Sequence, residues 1–444
     1  MAKYFGTDGF RGRANEGLYA RQAYKIGRFL GWHYGSARVL IGKDTRKSGY
    51  MLEYALASGL CSSGADAYLL HVTTTPSVSF LTKEQGFDLG IMITASHNPY
   101  TDNGIKILDK NGEKLSEDVL LQIESYLDSE NDDLPLAMGE KIGIVHDYGV
   151  GREKYINQLT SYGLPLNGYK IGLDMANGAG YDIARKVFLA LGATIFEIGS
   201  TPNGLNINRD CGSTHIETLC SLVKKEGLDF GFAFDGDADR CIAVNEKGEV
   251  VDGDKLIYAL ANALKEKNEL RENTVALTVM SNSGIIKSLG DIGIDTVVTP
   301  VGDKYVSEKM NELSLSLGGE QSGHIIVKKY SNTGDGILSA ILIANEIKRQ
   351  GLSLSRLCED AKAYPQKTKS VRVKNKEKTL KNRHVTEAFL AIEAKINGNG
   401  RALLRASGTE EVIRIMVECE SEQKCSEYIN YLEIAVSEAD KNEN

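Results

Sequence analysis

The chain has 444 residues, 42% hydrophobic and 25% charged, with a formal net charge of −8. That length exceeds what a single hydrophobic core serves and predicts about three domains, while the modest acidic balance argues against a nucleic-acid surface. No apolar run approaches the roughly 18 residues of a membrane span, the N-terminal Met1-Ala2-Lys3-Tyr4 lacks a signal-peptide core, and seven cysteines without a C-x-x-C pair read as reduced thiols of a cytoplasmic protein.

Glycine is plentiful at 46 and proline scarce at 7, which suits tight strand-to-helix loops of an α/β protein. In chain order, a strand is predicted over 39–41, running into Gly42-Lys43-Asp44-Thr45-Arg46 and a helix to 60. Strands at 67–70 and 89–93 follow, the latter ending at Thr94-Ala95-Ser96-His97-Asn98-Pro99. The same order recurs with a strand at 170–173, a glycine-rich turn at 174–180, a helix to 191, and strands at 194–197 and 230–234. The last of these ends at Asp235-Gly236-Asp237-Ala238-Asp239-Arg240. A fainter third pass has strands at 275–279, 295–298 and 314–317, closing on Gly318-Gly319-Glu320-Gln321-Ser322-Gly323-His324. One module thus occurs three times, each ending in a polar, glycine-rich loop, and in such sheets ligands gather at the carboxyl ends of strands. The tail differs. Strands at 370–373, 402–405 and 412–417 and a helix over 422–439 predict a separate α+β domain.

Asp235, Asp237 and Asp239 alternate, so on an extended segment they project to one side. Two carboxylates about 5 Å apart repel by roughly 3 kcal/mol at an effective dielectric near 20, and three together ask for a hard cation such as Mg²⁺. A solvated acidic turn gives the same spacing, and haloacid-dehalogenase-like phosphatases also carry an Asp-x-Asp after a strand. The apolar 232–234 just before favours burial. Ser96, at the end of a buried-looking strand, can act as nucleophile or phosphate carrier, although a polar turn closed by Asn98-Pro99 explains a bare serine equally well. No Gly-x-Ser-x-Gly elbow, Walker loop or convincing dinucleotide fingerprint is present. Arg11 in Gly6-Thr7-Asp8-Gly9-Phe10-Arg11-Gly12, and Arg405 with Ser407, Gly408 and Thr409, offer phosphate contacts. Glu320, Ser322 and His324 could hydrogen-bond sugar hydroxyls.

Four of these loops, in order, resemble the α-D-phosphohexomutase family over nearly the whole chain: Thr-Ala-Ser-His-Asn-Pro, Asp-Gly-Asp-x-Asp-Arg, Gly-Glu-x-Ser-Gly-His and Arg-x-Ser-Gly-Thr-Glu. The resemblance implies a heart-shaped, four-domain architecture of three similar α/β modules with mixed sheets (1–150, 151–253, 254–368) and a C-terminal α+β domain (369–444). It implies a phosphate carried on Ser96 and one Mg²⁺ held by that phosphate with Asp235, Asp237 and Asp239. It further implies Arg11, Lys106 and His324 as catalytic groups, Lys106 near the reacting hydroxyl and His324 as general acid or base. Arg240, Glu320, Ser322, Arg405, Ser407, Gly408, Thr409 and Arg414 would bind substrate. The start of the chain and the 319–325 and 332–336 loops point, within the family, to its bacterial hexosamine-phosphate members. The expected reaction interconverts glucosamine 6-phosphate and glucosamine 1-phosphate through a hexosamine 1,6-bisphosphate, feeding UDP-N-acetylglucosamine and cell-wall precursors, in a cytoplasmic enzyme that could be a homodimer. A phosphomannomutase/phosphoglucomutase is the alternative, and an Asp-x-Asp phosphatase or an inactive sugar-phosphate-binding protein a remote one. Three positions depart from the family pattern. Ala406 and Glu411 stand where prolines are usual, which removes stiffness and adds a negative charge at a phosphate site, and Ala238 replaces a frequent glycine, a change expected to be tolerated.

Overall fold

The computed structural model describes residues 3–6, 8–407 and 411–441. They form two compact units, Met1–Met280 with Val297–Cys358, and Ser281–Thr296 with Glu359–Asn444. Among the described residues no helix is long and apolar enough to cross a membrane.

Three mixed sheets organise the larger unit. The first has seven strands, with Arg38–Lys43 lying between parallel neighbours Asp66–Val72 and Leu89–Ile93. These strands read as apolar runs because helices cover them. Helices Ala20–Tyr34 and Gly49–Ser62 pack backbone to backbone, and a Cβ on Gly27 would stand 2.3 Å from the Leu56 carbonyl oxygen. The second sheet orders Val250–Val251, Cys241–Asn245, Phe230–Phe234, Lys170–Asp174 and Thr194–Ile198. The third orders Asp295–Thr299, Thr274–Thr278, Leu317–Gly319 and Ile325–Val327.

One device repeats in all three. A buried strand ends in a polar loop, and the chain returns antiparallel beside it: Leu89–Ile93 with Asp102–Leu108, Phe230–Phe234 with Cys241–Asn245, Leu317–Gly319 with Ile325–Val327. The loops at 94–101, 235–240 and 320–324 are therefore hairpin tips gripped at both ends. The strand expected at 314–317 begins only at Leu317, because Ser314, with a left-handed φ of 54°, ends the helix Asp303–Leu313. The aspartate segment is likewise a turn and not an extended run: the Ala238 N–H donates to the Asp235 carbonyl, and Ala238 has φ 55°.

The smaller unit is α+β. An antiparallel sheet orders Gln366–Arg372, Val412–Cys419 and Gly400–Ala406, against helices Arg383–Ile396 and Glu422–Lys441. Ile413, Ile415 and Val417 alternate into its core with Ile392, Ile429 and Leu432.

Candidate active site

The buried strand Leu89–Ile93 delivers Ser96 into a left-handed backbone conformation, φ 49°, which a serine holds only when its surroundings fix it. Those surroundings are specific. The Ser96 N–H donates to Thr94 Oγ1 at 2.9 Å, and its carbonyl accepts from Arg46 Nη2 at 2.8 Å and Asn208 Nδ2 at 2.9 Å. Fully buried Arg46 also donates to the carbonyls of Asn98 and Asp102 at 2.8 and 3.0 Å, to that of Pro99, and through Nε to Asp44 Oδ2 at 2.8 Å. Thr94 Oγ1 donates to the same Asp44 oxygen at 2.7 Å. Burial pushes the Asp44 pKa up, against the opposing pull of Arg46. Sequence reasoning did not single out Asp44, Arg46 or Asn208; the available signal was the position of 42–46 at the carboxyl end of a parallel strand.

Ser96 Oγ donates to Asp235 Oδ2 at 2.6 Å and lies 3.3 Å from His97 Nδ1. Burial, then the charges of Arg240 and Arg11, lower the His97 pKa. Asp235, Asp237 and Asp239 are buried, and one carboxylate oxygen of each lies within 4.8 Å of the others. Thr75 anchors the turn, its Oγ1 donating to Asp237 Oδ2 at 2.5 Å and its N–H to the Asp237 carbonyl at 3.1 Å. Burial and the two neighbouring aspartates raise the Asp235 pKa well above the carboxylate range. For Asp239 burial acts the same way but is outweighed by Lys106, His324 and Arg240, so its pKa falls well below that range. Asp237 Oδ1 is buried without a hydrogen bond. Converging carboxylates with an oxygen left over fit a hard divalent cation.

Cations surround this group. Lys106 Nζ lies 2.9 Å from Asp237 Oδ2, 3.3 Å from Asp239 Oδ2 and 3.1 Å from Asp8 Oδ1. Burial opposes its charge, but the three carboxylates win and its pKa rises well above the ordinary lysine value. Arg11 Nη1 donates to Asn98 Oδ1 at 3.3 Å, and its Nη2 pairs with Asp8. The Arg240 N–H donates to Asp235 Oδ1 at 3.1 Å, and its backbone bridges to His324, joining the aspartate and 320–324 loops. His324 Nε2 accepts the Gly334 N–H at 3.1 Å, which leaves the ring proton on Nδ1, 3.7 Å from Asp239 Oδ1. Burial works against the charged ring, yet Asp239 and Asp303 raise its pKa. Glu320 Oε1 accepts the Gly302 N–H at 3.0 Å, and Ser322 Oγ donates to its Oε2 at 3.4 Å. A cavity of about 670 Å³, of the size that takes a small ligand, is lined by Asp8, Lys106, Asp239, Asp303 and His324 among others.

The smaller unit gathers a second cationic set. Arg405 and Arg414 stand directly opposite across neighbouring strands, both exposed. Ser407 is buried; its N–H donates to the Val412 carbonyl at 3.0 Å and its carbonyl accepts from Lys376 Nζ at 2.9 Å. Lys376 also lies 3.5 Å from the Glu411 carboxylate and so offsets the charge that the missing proline introduced. Gly408 and Thr409 lie outside the described residues.

Four family models cover most of the chain. Phosphoglucomutase/phosphomannomutase alpha/beta/alpha domains I, II and III match residues 2–133, 153–248 and 252–364, and the C-terminal domain matches 369–432. A phosphoglucosamine mutase of Lachnoclostridium phytofermentans is 52% identical over 432 residues, 96% of each chain. One from Geobacillus thermodenitrificans is 48% identical over 97% of each. Solved structures share the fold. A phosphoglucomutase/phosphomannomutase family protein of Burkholderia thailandensis superposes with a TM-score of 0.81 at 22% identity, over 100% of this chain and 99% of that one. The N-acetylphosphoglucosamine mutase of Aspergillus fumigatus, in complex with GlcNAc-6P and magnesium, does so with 0.69 at 16% identity, over 99% and 96%. Matched by all four domain models in order and by close relatives along nearly its whole length, the chain belongs to the phosphoglucomutase/phosphomannomutase family.

Proposed function

We propose that this enzyme interconverts glucosamine 6-phosphate and glucosamine 1-phosphate, with Ser96 as phosphate carrier. The observation that carries the reading is the buried contact of Ser96 Oγ with Asp235 at 2.6 Å, at the edge of a three-aspartate group. Similarity at about half identity to phosphoglucosamine mutases supports the amino sugar.

In the forward direction the free 1-hydroxyl of glucosamine 6-phosphate attacks the phosphorus on Ser96. The phosphorus–serine oxygen bond breaks, a phosphorus–sugar oxygen bond forms, and the hydroxyl proton passes to His324 Nε2 as that nitrogen gives up the Gly334 N–H. The resulting 1,6-bisphosphate turns over and returns its 6-phosphoryl group to Ser96, whose oxygen re-forms the ester as the sugar oxygen regains a proton. Asp235, Asp237 and Asp239 would hold Mg²⁺, which supplies charge stabilisation to the moving phosphoryl group. Lys106, held protonated by its three carboxylates, acts as a cation and not as the base. Arg11 adds a second positive charge, and Arg46 with Asn208 holds the serine loop at the angle that presents Oγ. Glu320 and Ser322 receive the sugar hydroxyls, and Arg405, Ser407 and Arg414 hold the phosphate that is not reacting. Gly408 and Thr409 belong to the same phosphate loop by sequence.

A coupled assay tests this. Turnover should be highest with glucosamine 6-phosphate among the glucosamine, glucose and mannose phosphates, and Ser96→Ala should lower kcat by about a thousandfold or more with the fold intact. Near-normal turnover by that variant, or release of inorganic phosphate in place of isomerisation, would sink the proposal.

A further inference from the structure

The lysine among the aspartates stands where a cation's ligands are. Lys106 Nζ lies 2.9 Å from Asp237 Oδ2 and 3.3 Å from Asp239 Oδ2, two of the three carboxylates that fit a divalent ion. Asp237 Oδ1 and Asp239 Oδ1 carry no hydrogen bond and are open to a small hard cation, so an ammonium group on the Oδ2 atoms competes with that cation for the charge of the same two carboxylates. On its other side Lys106 meets Asp8 Oδ1 at 3.1 Å. Asp8 is fixed independently of the lysine. Its Oδ2 pairs with Arg11, and Lys114 Nζ lies 3.6 Å from its Oδ1. The N-terminal hairpin also presses against the lysine stem, for a Cβ on Gly9 would stand 3.1 Å from Lys106 Cγ and 2.6 Å from the Ile105 carbonyl oxygen. Although burial opposes ionisation, Lys106 and Lys114 hold the Asp8 pKa at about 2, so its charge is present throughout the working range.

We infer that Asp8 is a positioning residue for Lys106: when a divalent cation binds Asp237 and Asp239, Asp8 draws the ammonium group to its own side, so that lysine and cation compete for the charge of the same carboxylates. The inference rests on the reading of the three aspartates as a metal site. Lys106 then acts as a built-in counter-ion, sparing the buried aspartates their mutual repulsion before the metal arrives and setting a threshold that the metal must exceed.

The test is Mn²⁺ binding to the full chain, measured by isothermal titration calorimetry and independent of turnover. Lys106→Met should bind Mn²⁺ about tenfold or more tightly than wild type, because a competing charge is gone. Asp8→Asn should weaken binding severalfold where Lys106 is present, and its effect should shrink to under about twofold in the Lys106→Met background, as expected of a coupled pair. Thermal melts show which variants fold, and Lys106→Gln replaces Lys106→Met if the latter does not. Unchanged or weaker binding by the lysine variant, or an equal Asp8→Asn effect in both backgrounds, overturns the inference while leaving the metal site standing. Wild type binding Mn²⁺ no better than Asp237→Asn overturns both.

Discussion

Arg46 donates to Asp44 and to the carbonyls of Ser96, Asn98 and Asp102, all on buried backbone around the serine. Only a planar fork of five donors reaches so many acceptors at once, so lysine is no substitute. Arg46→Met should cost about 3–5 kcal/mol, because it leaves Asp44 as an uncompensated buried charge, and urea unfolding would show it. Arg46→Lys should fold and lower kcat with KM nearly unchanged, since it frees the serine loop without touching the substrate's distal phosphate. An equal rise in KM would mean that the arginine acts on binding. Asp335 offers a different measurement. Burial raises its pKa to about 6, although the Leu338 N–H and Tyr155 hydroxyl favour the carboxylate. The native state therefore keeps a proton that the unfolded chain releases near pH 4, and stability falls as pH rises from there through about 6. Asp335→Asn should remove that loss, gaining up to about 3 kcal/mol on wild type between roughly pH 4 and pH 7, as denaturant titrations at several pH values would reveal. A pH-independent difference between the two proteins would contradict the shifted pKa.

The hairpin tip is the element on which the site is built. Its incoming strands, Leu89–Ile93 and Phe230–Phe234, are five-residue apolar runs, and both were legible to the residue. The return strands were not. Asp102–Leu108 opens on Asp102-Asn103 and carries Lys106, so its polar residues read as loop; they pair with strands on both sides while serving the site. Ile325–Val327 is too short for any period to register. The left-handed φ near 50° was hidden at Ser96, while at Ala238 the one signal was that a glycine is frequent there. That geometry gives a direct test of the alanine. Ala238→Gly relieves a left-handed strain of about 1–2 kcal/mol and gives up about 0.8 kcal/mol of buried methyl plus chain entropy, so stability should move by less than about 1 kcal/mol. Turnover should stay within about twofold; a large loss would mean that the methyl group itself shapes the aspartate turn.

At the scale of the whole molecule, the C-terminal unit reaches back into the chain. Helix Ser283–Asp291 belongs to it: the Ser283 N–H donates to Glu418 Oε1 at 2.7 Å and the Tyr364 N–H to Asn282 Oδ1 at 2.8 Å. Cutting after Thr368 would therefore strip Ile285 and Leu289, both fully buried, of their surroundings, and the truncated protein should aggregate or melt early. Arg405→Ala isolates the unit's contribution without that damage. It should raise KM about tenfold or more and release bisphosphate into solution, followed by chromatography of all three sugar phosphates. Retention of the bisphosphate with a normal KM would remove the phosphate-holding role from this face.

The sequence by itself determined the threefold module, the α+β tail, the family and the loops that bear chemistry, because these are written in local terms: apolar runs, glycine-rich turns and short motifs in a fixed order. Residue type and spacing left Ser96 and the three aspartates open, and the resemblance to the family is what nominated them. Tertiary structure alone decided which distant groups meet them. Arg46 and Asn208 converge on the Ser96 carbonyl from 50 and 112 residues away, Lys106 reaches Asp237 across 131, and Thr75 does so across 162. Such contacts follow from strand order and from burial that leaves each polar atom seeking a partner, and neither is encoded in any window of neighbouring residues.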